Sequence, residues 1–302
     1  MEIKKNYELK KHTTFKIGGE AKYVFFPESV DELVTLLKEK ENPTLLGGCS
    51  NVLISSAGLD EDVIITTRVN QYSFDKNILT TACGTKGPLL SKESHNLGLS
   101  GFEFMIGFPG SIGGMIYMNA SAHGQAISDC FKSCNVFDLH KKEVIKLNKE
   151  DMLFEYRKSV LSKNNYILLS ADFELKEDCK EKINEAMQKN LNFRREKQPS
   201  LAIPNVGSIF KNPKNDSAGR LLDEAGAKGL EEGGASIWEN HANFIVNRQN
   251  ATSKEVLTLM QKMHNLVKEK YSIELQPEVK FIGKKDKEEE KIWNTLNTKS
   301  IL

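Results

Sequence analysis

A short segment between Gly207 and Pro213 concentrates three polar side chains that could take part in a reaction. Ser208, Lys211 and Asn212 supply one hydroxyl, one amine and one carboxamide within five residues. A hydrolytic serine usually lies in a G-x-S-x-G turn and needs a histidine base, and neither accompanies Ser208 in the sequence. We therefore interpret Ser208 as a proton donor, with Lys211 and Asn212 as contacts to a ligand.

A first glycine-rich loop lies far upstream of this segment and follows a predicted strand at 43–46. Paired glycines let the backbone approach a ligand closely and adopt positive φ, so that successive N–H groups can face phosphate oxygens. An ordinary turn is an equally open interpretation of this motif alone. The candidate phosphate-binding residues of the loop are Gly47, Gly48, Cys49, Ser50 and Asn51.

A second glycine-rich loop, between Ile106 and Gly114, makes a cofactor the better explanation. Its glycine spacing fits neither the G-x-G-x-x-G fingerprint nor a G-x-x-x-x-G-K-[ST] phosphate loop. Two donor-rich loops in one domain nevertheless suit a dinucleotide with an extended pyrophosphate, and the small polar residues that follow suit a planar ring. A purely structural role for the loop stays open. Its candidate cofactor residues are Pro109, Gly110, Ser111, Ile112, Gly113, Asn119 and Ala120.

Four charged residues could contact an anionic ligand or the reacting group. Arginine is the best bidentate partner of a carboxylate, which makes Arg157 a candidate, although a lone arginine is commonly a surface residue. Arg194 and Lys197 lie at the end of a predicted helix, where they either face solvent or clamp a diphosphate. Glu278 lies in an apolar segment, and alternation allows it to face either solvent or a site.

The composition excludes several classes of protein. The 302 residues carry 42 Lys+Arg against 41 Asp+Glu, so we expect no nucleic-acid or membrane partner. The sequence has no run of about 18 apolar residues, and its N-terminus has no apolar signal region. Five cysteines form no C-x-x-C pair and no zinc spacing, so we expect reduced thiols, no metal and a cytoplasmic protein.

Mixed helices and strands must position these residues. Capping boxes begin helices at Ser29 and Thr252, and an amphipathic helix over 180–197 ends before Pro199. That proline favours a domain boundary after residue 198, and the charge run from about 284 predicts a solvated or helical tail. The other predicted helices lie at 88–97 and 218–225, and the predicted strands at 43–46, 63–67, 78–82, 166–175, 243–247 and 273–282, with two more strands around a turn at 140–143.

Taken together, the motifs resemble those of the UDP-N-acetylenolpyruvoylglucosamine reductases, in the same order over about residues 12–283. The resemblance implies an α+β fold, with a vanillyl-alcohol-oxidase-type (PCMH) FAD-binding domain followed by a smaller α+β substrate-binding domain. We assign these domains to residues 1–198 and 199–302. The matching motifs are Thr13-Thr14-Phe15-Lys16-Ile17-Gly18-Gly19, the loop 47–51, the segment 107–120, Tyr156-Arg157-Lys158-Ser159, the segments 207–213 and 241–247, and Pro277-Glu278-Val279.

The resemblance also implies a reaction. NADPH reduces a noncovalently bound FAD, and hydride then passes to C3 of the enolpyruvyl group of a UDP-sugar, giving UDP-N-acetylmuramate for peptidoglycan synthesis. Ser208 resembles the residue that protonates C2, and Arg157 and Glu278 resemble the pair that positions the carboxylate and stabilises the enolic intermediate. Arg157 would neutralise the developing charge, and a protonated Glu278 would donate a hydrogen bond. The residues that resemble substrate contacts are Lys197, Lys211, Asn212 and Arg194.

Three residues depart from the family pattern. Cys49 and Ser121 occupy positions that are commonly glycine, and His123 replaces an aromatic residue. A cysteine would be strained if position 49 needs positive φ. The interval from Leu161 to Tyr166 leaves no room for the extra substrate-covering tyrosine loop of some members, so the chain resembles the shorter form.

Two alternative functions stay open. An FAD oxidase of the same superfold, acting on an alcohol or small hydroxy acid, would share the glycine-rich loops. The oxidase reaction would not need Ser208, Arg157 and Glu278 together. A catalytically inactive nucleotide-binding protein would not need these three side chains either. The leading interpretation is a monomeric, NADPH-dependent enolpyruvyl reductase.

Overall fold

A computed structural model describes residues 1–162 and 166–297. The predicted short connection between Leu161 and Tyr166 falls on residues 163–165, and the end of the predicted tail falls on 298–302. Both therefore lie outside the described residues. Helices and strands are mixed along the chain, as expected for an α+β protein.

The helices and strands have the following bounds, and none of the described helices is both long and apolar enough to cross a membrane. The helices are α1 (Val30–Glu39), α2 (Gly87–Asn96), α3 (Ile112–Tyr117), α4 (Ile127–Cys130), α5 (Lys180–Lys197), α6 (Ala218–Glu224), α7 (Ser253–Tyr271) and α8 (Lys287–Asn297). The strands are β1 (Glu2–Glu8), β2 (Glu20–Phe26), β3 (Thr44–Leu46), β4 (Val52–Ile54), β5 (Val63–Ile65), β6 (Tyr72–Asp75), β7 (Ile78–Ala82), β8 (Leu99–Ser100), β9 (Ser121–Ala122), β10 (Gln125–Ala126), β11 (Phe131–Asp138), β12 (Glu143–Asn148), β13 (Tyr166–Glu174), β14 (Lys176–Glu177), β15 (Asn205–Ser208), β16 (Glu231–Glu232), β17 (Ala235–Ile237), β18 (Phe244–Asn247) and β19 (Lys280–Ile282).

Local sequence signals account for several of these bounds. Helix α1 begins after Ser29, whose hydroxyl accepts a hydrogen bond from the Glu32 N–H. In α7 the capping box is reciprocal, because the Thr252 hydroxyl accepts from the Glu255 N–H and the Glu255 carboxylate accepts from the Thr252 N–H. Helix α5 occupies the predicted range and ends just before Pro199. These three predictions are confirmed.

The chain divides into two compact units, and neither is continuous in sequence. Our prediction divides the chain once, after residue 198, whereas the structure includes 5–22 and 49–60 in the C-terminal unit. These segments belong there because Phe15 and Leu53 are buried in its core, a contact that local patterns do not reveal. The ranges are Met1–Lys4, Tyr23–Gly48 and Glu61–Arg194 for unit 1, and Lys5–Lys22, Cys49–Asp60 and Arg195–Leu302 for unit 2.

Unit 1 contains a parallel and an antiparallel arrangement of strands. Strands β2 and β3 each run parallel to β5, with Val24 paired to Val63 and Leu45 to Ile64. The antiparallel sheet has the order β12-β11-β13-β7-β6, in which β11 and β12 flank the predicted turn at 140–143. One core of aliphatic and aromatic side chains joins these strands to α1, α2 and α3. The glycine-rich loops that follow β3 and precede α3 are therefore attached to buried elements.

Unit 2 contains an antiparallel sheet of order β15-β18-β17-β16 and a parallel pair formed by β4 and β19. Helices α6 and α7 supply Leu222 and Met260 to its core. The core also includes Phe15 from the segment Lys5–Lys22, here called the N-terminal arm. Asn247 in β18 donates a hydrogen bond from Nδ2 to Phe15 O over 3.0 Å. The N-terminal arm is thus bonded directly to the sheet that carries Ser208.

The predicted strand at 273–282 is wrong over most of its length. Only Lys280–Ile282 forms a regular strand, and Pro277 takes part in an isolated bridge to Phe210. Proline has no N–H to donate, so it interrupts a regular ladder.

The charged C-terminal run forms a helix that packs on unit 2 and is not a solvated tail. Helix α8 buries Ile292 and Leu296 in the core of the unit. The buried Glu289 carboxylate accepts a hydrogen bond from the Ser253 hydroxyl over 2.6 Å. Ser253 in turn accepts from the Ser56 N–H over 2.9 Å, so one serine joins α7, α8 and the segment after β4.

Candidate active site

The two glycine-rich loops approach each other within unit 1. The Gly48 N–H donates to Ser111 Oγ over 3.4 Å. A Cβ added to Gly47 would lie 2.3 Å from Ser111 Oγ, and one added to Gly48 would lie 3.1 Å from Pro109 O. A side chain at position 47 would displace the Ser111 hydroxyl, and one at position 48 would crowd Pro109 O, so glycine suits both positions. The two loops thus form one surface made largely of main chain.

Two amides of the second loop are engaged in holding the loop itself. The Ile112 N–H donates to Thr85 O over 2.9 Å, and the Gly113 N–H donates to Cys83 O over 2.7 Å. Main-chain carbonyls of unit 1 therefore accept the hydrogen bonds of these two amides. Their residues shape the loop, and a contact between them and a cofactor stays a prediction.

Asn119 presents a buried polar atom that lacks a partner. Its Nδ2 donates to Glu155 O over 3.0 Å, whereas its Oδ1 accepts no hydrogen bond from any of the described residues. An unpaired buried acceptor is costly, so the structure fits a ligand that donates a hydrogen bond here. The ring N–H and the ribityl hydroxyls of FAD are donors of this kind. With the main-chain surface of the two loops, this acceptor shows that the residues present fit FAD.

Arg157 lies in the turn Glu155-Tyr156-Arg157-Lys158, here called the arginine turn. Its φ is 55°, a left-handed conformation that is uncommon for a residue other than glycine. Its Nη1 donates to Ser121 Oγ over 2.8 Å and, less closely, to Ser121 O over 3.4 Å. The guanidinium carbon lies 5.1 Å from the centre of the Tyr156 ring, a cation–π distance. Sequence reasoning identified neither Ser121 nor Tyr156 as a partner of this arginine.

Arg194, the other predicted cation of unit 1, lies near the end of α5. A Cβ added to Gly107 would lie 2.9 Å from Arg194 Cδ, so the arginine stem packs closely on this glycine. Burial lowers the pKa of the Arg194 guanidinium, as expected for a cation removed from water. Lys197, three residues further on, is exposed and belongs to unit 2. Arg194 and Lys197 thus belong to different units, and the diphosphate clamp stays a prediction.

Ser208 is half-buried at the end of β15 in unit 2. It pairs with Phe244 of β18, and the register shifts just before it. Gly207 lies within this bulge with φ of 77°, which glycine adopts without strain. A Cβ added to Gly207 would lie 3.8 Å from Ser50 O, so the predicted cofactor residue Ser50 lies close to the Ser208 strand.

Asn243 fixes the two residues that follow Ser208. The Ile209 N–H donates to Asn243 O over 2.9 Å. The side chain of Asn243 then forms a pair of bonds, because Oδ1 accepts from the Phe210 N–H over 2.9 Å and Nδ2 donates to Phe210 O over 2.8 Å. Asn243 is 3% exposed, so these bonds are buried. The motif 241–247 contained this residue, but nothing in the sequence assigned it a role.

Glu278 and Ser208 lie on hydrogen-bonded backbone within unit 2. The Glu278 N–H donates to Ile209 O over 2.8 Å, next to Ser208. The predicted cofactor residue Asn51 donates from Nδ2 to Glu278 O over 3.1 Å. The structure therefore brings together two of the three predicted catalytic residues, whereas Arg157 belongs to unit 1.

The first glycine-rich loop passes from unit 1 to unit 2 after Gly48. Cys49 has φ of 48°, so the cysteine stands in the left-handed conformation that favours glycine. The single O–H of Thr14 lies between two carbonyl acceptors, Asn205 O at 2.8 Å and Cys49 O at 3.2 Å. Burial raises the pKa of the Cys49 thiol to about 12, so the thiol is protonated at neutral pH.

The predicted substrate contacts after Ser208 differ in their surroundings. Asn212 Oδ1 accepts from the Ala218 N–H over 3.0 Å and so helps to begin α6. Lys211 lies near Lys280, whose pKa is lowered by burial and by the charge of Lys211. Two neighbouring cations favour an anionic ligand. Sequence reasoning missed Lys280, although it lies only two residues after the candidate Glu278.

A family model described as an FAD binding domain matches residues 21–148. This match includes both glycine-rich loops and the unpaired Asn119 acceptor. The fold and the site thus define an FAD-binding oxidoreductase with a distinct C-terminal domain. A second model, the C-terminal domain of UDP-N-acetylenolpyruvoylglucosamine reductase, matches residues 198–282.

The chain belongs to the UDP-N-acetylenolpyruvoylglucosamine reductase family. It is 42% identical to the reductase of Caldicellulosiruptor saccharolyticus, with 94% of this chain and 93% of that protein covered. The Bacillus pumilus reductase is 39% identical, with coverage of 94% and 95%. The crystal structure of the Thermus caldophilus reductase (MurB) is similar with a TM-score of 0.80 and 34% identity, over 93% of this chain and 99% of that one. The family predicted from the motifs is therefore confirmed.

Proposed function

We propose that this protein reduces the enolpyruvyl group of UDP-N-acetylglucosamine enolpyruvate to UDP-N-acetylmuramate, with FAD as cofactor and NADPH as the source of hydride. The observation that carries the proposal is the bond from the Glu278 N–H to Ile209 O, which holds the backbone of Glu278 to the residue that follows Ser208. An oxidase or an inactive nucleotide-binding protein has no use for such a pair of proton-donating groups. Membership of the reductase family supports the same reaction.

The glycine-rich loops and Asn119 are the residues that would hold FAD, noncovalently. Gly47 and Gly48 permit a close approach of the main chain to the cofactor. Asn119 Oδ1 would accept a hydrogen bond from a donor group of the cofactor. Ser50 and Asn51, in unit 2, are proposed to contact it as well. When bound, FAD supplies hydride that it has received from NADPH.

Residues of the chain itself stabilise the negative charge that develops on the substrate and supply the proton that C2 receives. Addition of hydride at C3 leaves carbanion character at C2, and the Ser208 hydroxyl donates a proton to that carbon. Arg157 pairs with the carboxylate as its negative charge grows, and Glu278 in its protonated form donates a hydrogen bond to the enolic oxygen. The cations Lys211 and Lys280 favour an anionic substrate near Ser208.

Further substrate contacts are proposed at Asn212, Lys197 and Arg194. Arg194 suits a diphosphate because its guanidinium is partly removed from water, where a counter-charge is most favourable. We further propose a monomeric, cytoplasmic enzyme that acts on a small molecule and binds neither nucleic acid nor membrane.

Anaerobic stopped-flow absorbance tests this proposal, because it separates the two halves of the reaction. Purified protein reconstituted with FAD should lose its flavin band when NADPH is added, and the enolpyruvyl UDP-sugar should restore the band. A protein that NADPH reduces but that this substrate does not reoxidise contradicts the proposal. Rapid reoxidation by an alcohol-oxidase acceptor such as oxygen, without response to the sugar nucleotide, indicates the oxidase alternative.

A further inference from the structure

Ser121 is held by a hairpin whose geometry does not depend on its own side chain. Strands β9 and β10 pair Ser121 with Ala126. The turn between them is His123-Gly124, with φ of 54° and 79°. Two consecutive positive φ values are typical of the type I′ turn, which matches the twist of a two-stranded hairpin. Main-chain pairing therefore fixes the position of Ser121 and leaves its hydroxyl to bind another group.

The main chain of the arginine turn has anchors of its own. Asn119 Nδ2 donates to Glu155 O, and the Ser159 hydroxyl donates to Tyr117 O, each over 3.0 Å. These bonds restrain the backbone of the turn from both ends. The Ser121 hydroxyl differs from them because it accepts from the guanidinium itself.

We propose that Ser121 is a positioning residue for substrate binding, acting through Arg157. This inference rests on the proposed function, in which Arg157 pairs with the enolpyruvyl carboxylate. A long arginine side chain loses rotational freedom when it binds a ligand. The 2.8 Å bond to Ser121, together with the Tyr156 ring on the guanidinium, restricts that freedom before substrate arrives. Ser121 thus presents the arginine fork already oriented.

The expected signature is a change in affinity more than in turnover. A group that orients Arg157 before binding stabilises the bound substrate and the transition state alike, so its loss raises KM and leaves kcat nearly unchanged. We expect Ser121→Ala to raise KM for the enolpyruvyl substrate about tenfold, since a hydrogen bond to a charged group has about this value. Orientation is not lost completely, because Ser121 O remains within 3.4 Å of Nη1.

The experiment compares Ser121→Ala with Ser121→Thr and with a remote control, Ser170→Ala. Threonine keeps the hydroxyl and should restore KM. Ser170 Oγ also accepts from a side-chain N–H, that of Asn135 over 3.1 Å in the same unit, so its removal controls for loss of one such bond. Substrate Kd, measured from the flavin absorbance without NADPH, should rise with KM only in Ser121→Ala. An equal rise in Ser170→Ala, or no rescue by threonine, overturns the inference.

A double-mutant cycle with Arg157→Ala tests whether Ser121 acts through this arginine. If it does, adding Ser121→Ala to Arg157→Ala changes Kd no further. A further tenfold rise in the double variant shows an independent role and overturns the inference, while the proposed function stands. If Arg157→Ala itself binds and turns over like the wild type, the role of Arg157 in the proposed function is wrong.

Discussion

The two units hold their predicted catalytic residues in opposite ways. In unit 2, strand pairing and the bond from the Glu278 N–H to Ile209 O hold the backbone of Ser208 and Glu278. In unit 1, side chains hold Arg157, because Ser121 and Tyr156 contact the guanidinium directly. A group held through its backbone should tolerate replacement of its own side chain without loss of the surrounding structure. A group held through its side chain depends on each of its partners.

The largest expected effect is that of Ser208→Ala. Loss of a positioned acid typically slows a reaction on the order of 10²–10⁴-fold, and we expect a loss of this size in reoxidation of the flavin by the enolpyruvyl substrate. Reduction by NADPH and the melting temperature should stay at wild-type values, because Ser208 is held by main chain. Single-turnover stopped-flow measurements separate the two steps. Equal losses in both would contradict the proton-donor role.

Asn243 should be an exception in unit 2, because its side chain itself holds the backbone, and replacing it should destabilise the unit. Asn243→Ala leaves the N–H and the carbonyl of buried Phe210 without partners, and we expect it to lower the free energy of unfolding by about 2–4 kcal/mol. Asn243→Asp keeps the acceptor but sets a buried carboxylate oxygen against Phe210 O, so it should also lower the free energy of unfolding. Urea unfolding provides the measurement. Wild-type stability in Asn243→Ala would show that strand pairing alone is sufficient.

Replacement of Arg157 by lysine tests the side-chain half of the comparison. Lysine keeps the charge but not the planar fork, so it cannot bind Ser121 and a carboxylate in the same way. We expect kcat/KM for the enolpyruvyl substrate to fall about tenfold or more, with little change in melting temperature. Steady-state kinetics with NADPH saturating give the measurement, and wild-type kcat/KM would count against the assigned role.

The smallest expected effect concerns stability at acid pH. Burial lowers the pKa of His264, which lies on α7 in unit 2 near Glu274 and Lys268. As pH falls below the ordinary histidine value of about 6.5, the unfolded chain takes up this proton before the folded protein does. Stability contributed by the neutral histidine is therefore present above that pH and is lost as pH falls below it.

Replacement of this histidine should flatten the dependence of melting temperature on pH. His264→Leu removes the titrating group, so its curve between about pH 6.5 and 5 should be shallower than that of the wild type. His140→Gln in unit 1 is the control, because it removes a histidine whose side chain is exposed to solvent. Parallel curves for His264→Leu and the wild type would show that the buried histidine is not responsible.

Features encoded by neighbouring residues could be predicted from the sequence. The capping box at Thr252 and the stop before Pro199 need only local bonds and sterics, and both occur where predicted. The glycine-rich loops were also identified, because close approach of backbone requires glycine whatever the partner.

Features that depend on distant partners could not be predicted. The Ile112 amide belongs to a loop of the expected composition, yet it donates to Thr85 O, a choice that depends on tertiary packing. Ser121 departs from the family pattern, but its bond to Arg157 joins residues that lie 36 positions apart. Asn243 pairs with Phe210 across 33 positions. The pattern of residue types within a short segment of sequence carries no information about hydrogen bonds between residues so far apart.

The interleaved chain path has a consequence for synthesis. The N-terminal arm cannot complete its packing until residue 247 has been synthesised. Phe15 is buried in the finished protein, and Asn247, which donates a hydrogen bond to Phe15 O, lies 232 positions further along the chain. During synthesis the arm therefore leaves the ribosome before the sheet that covers Phe15 has been made, and we expect this apolar side chain to be exposed in the meantime. For the same reason, a gene fragment that ends at residue 198 encodes this arm without the sheet that covers it. Neither unit corresponds to one continuous stretch of sequence, so we expect recombination within this family to keep residues 5–22 together with the C-terminal sheet that covers them.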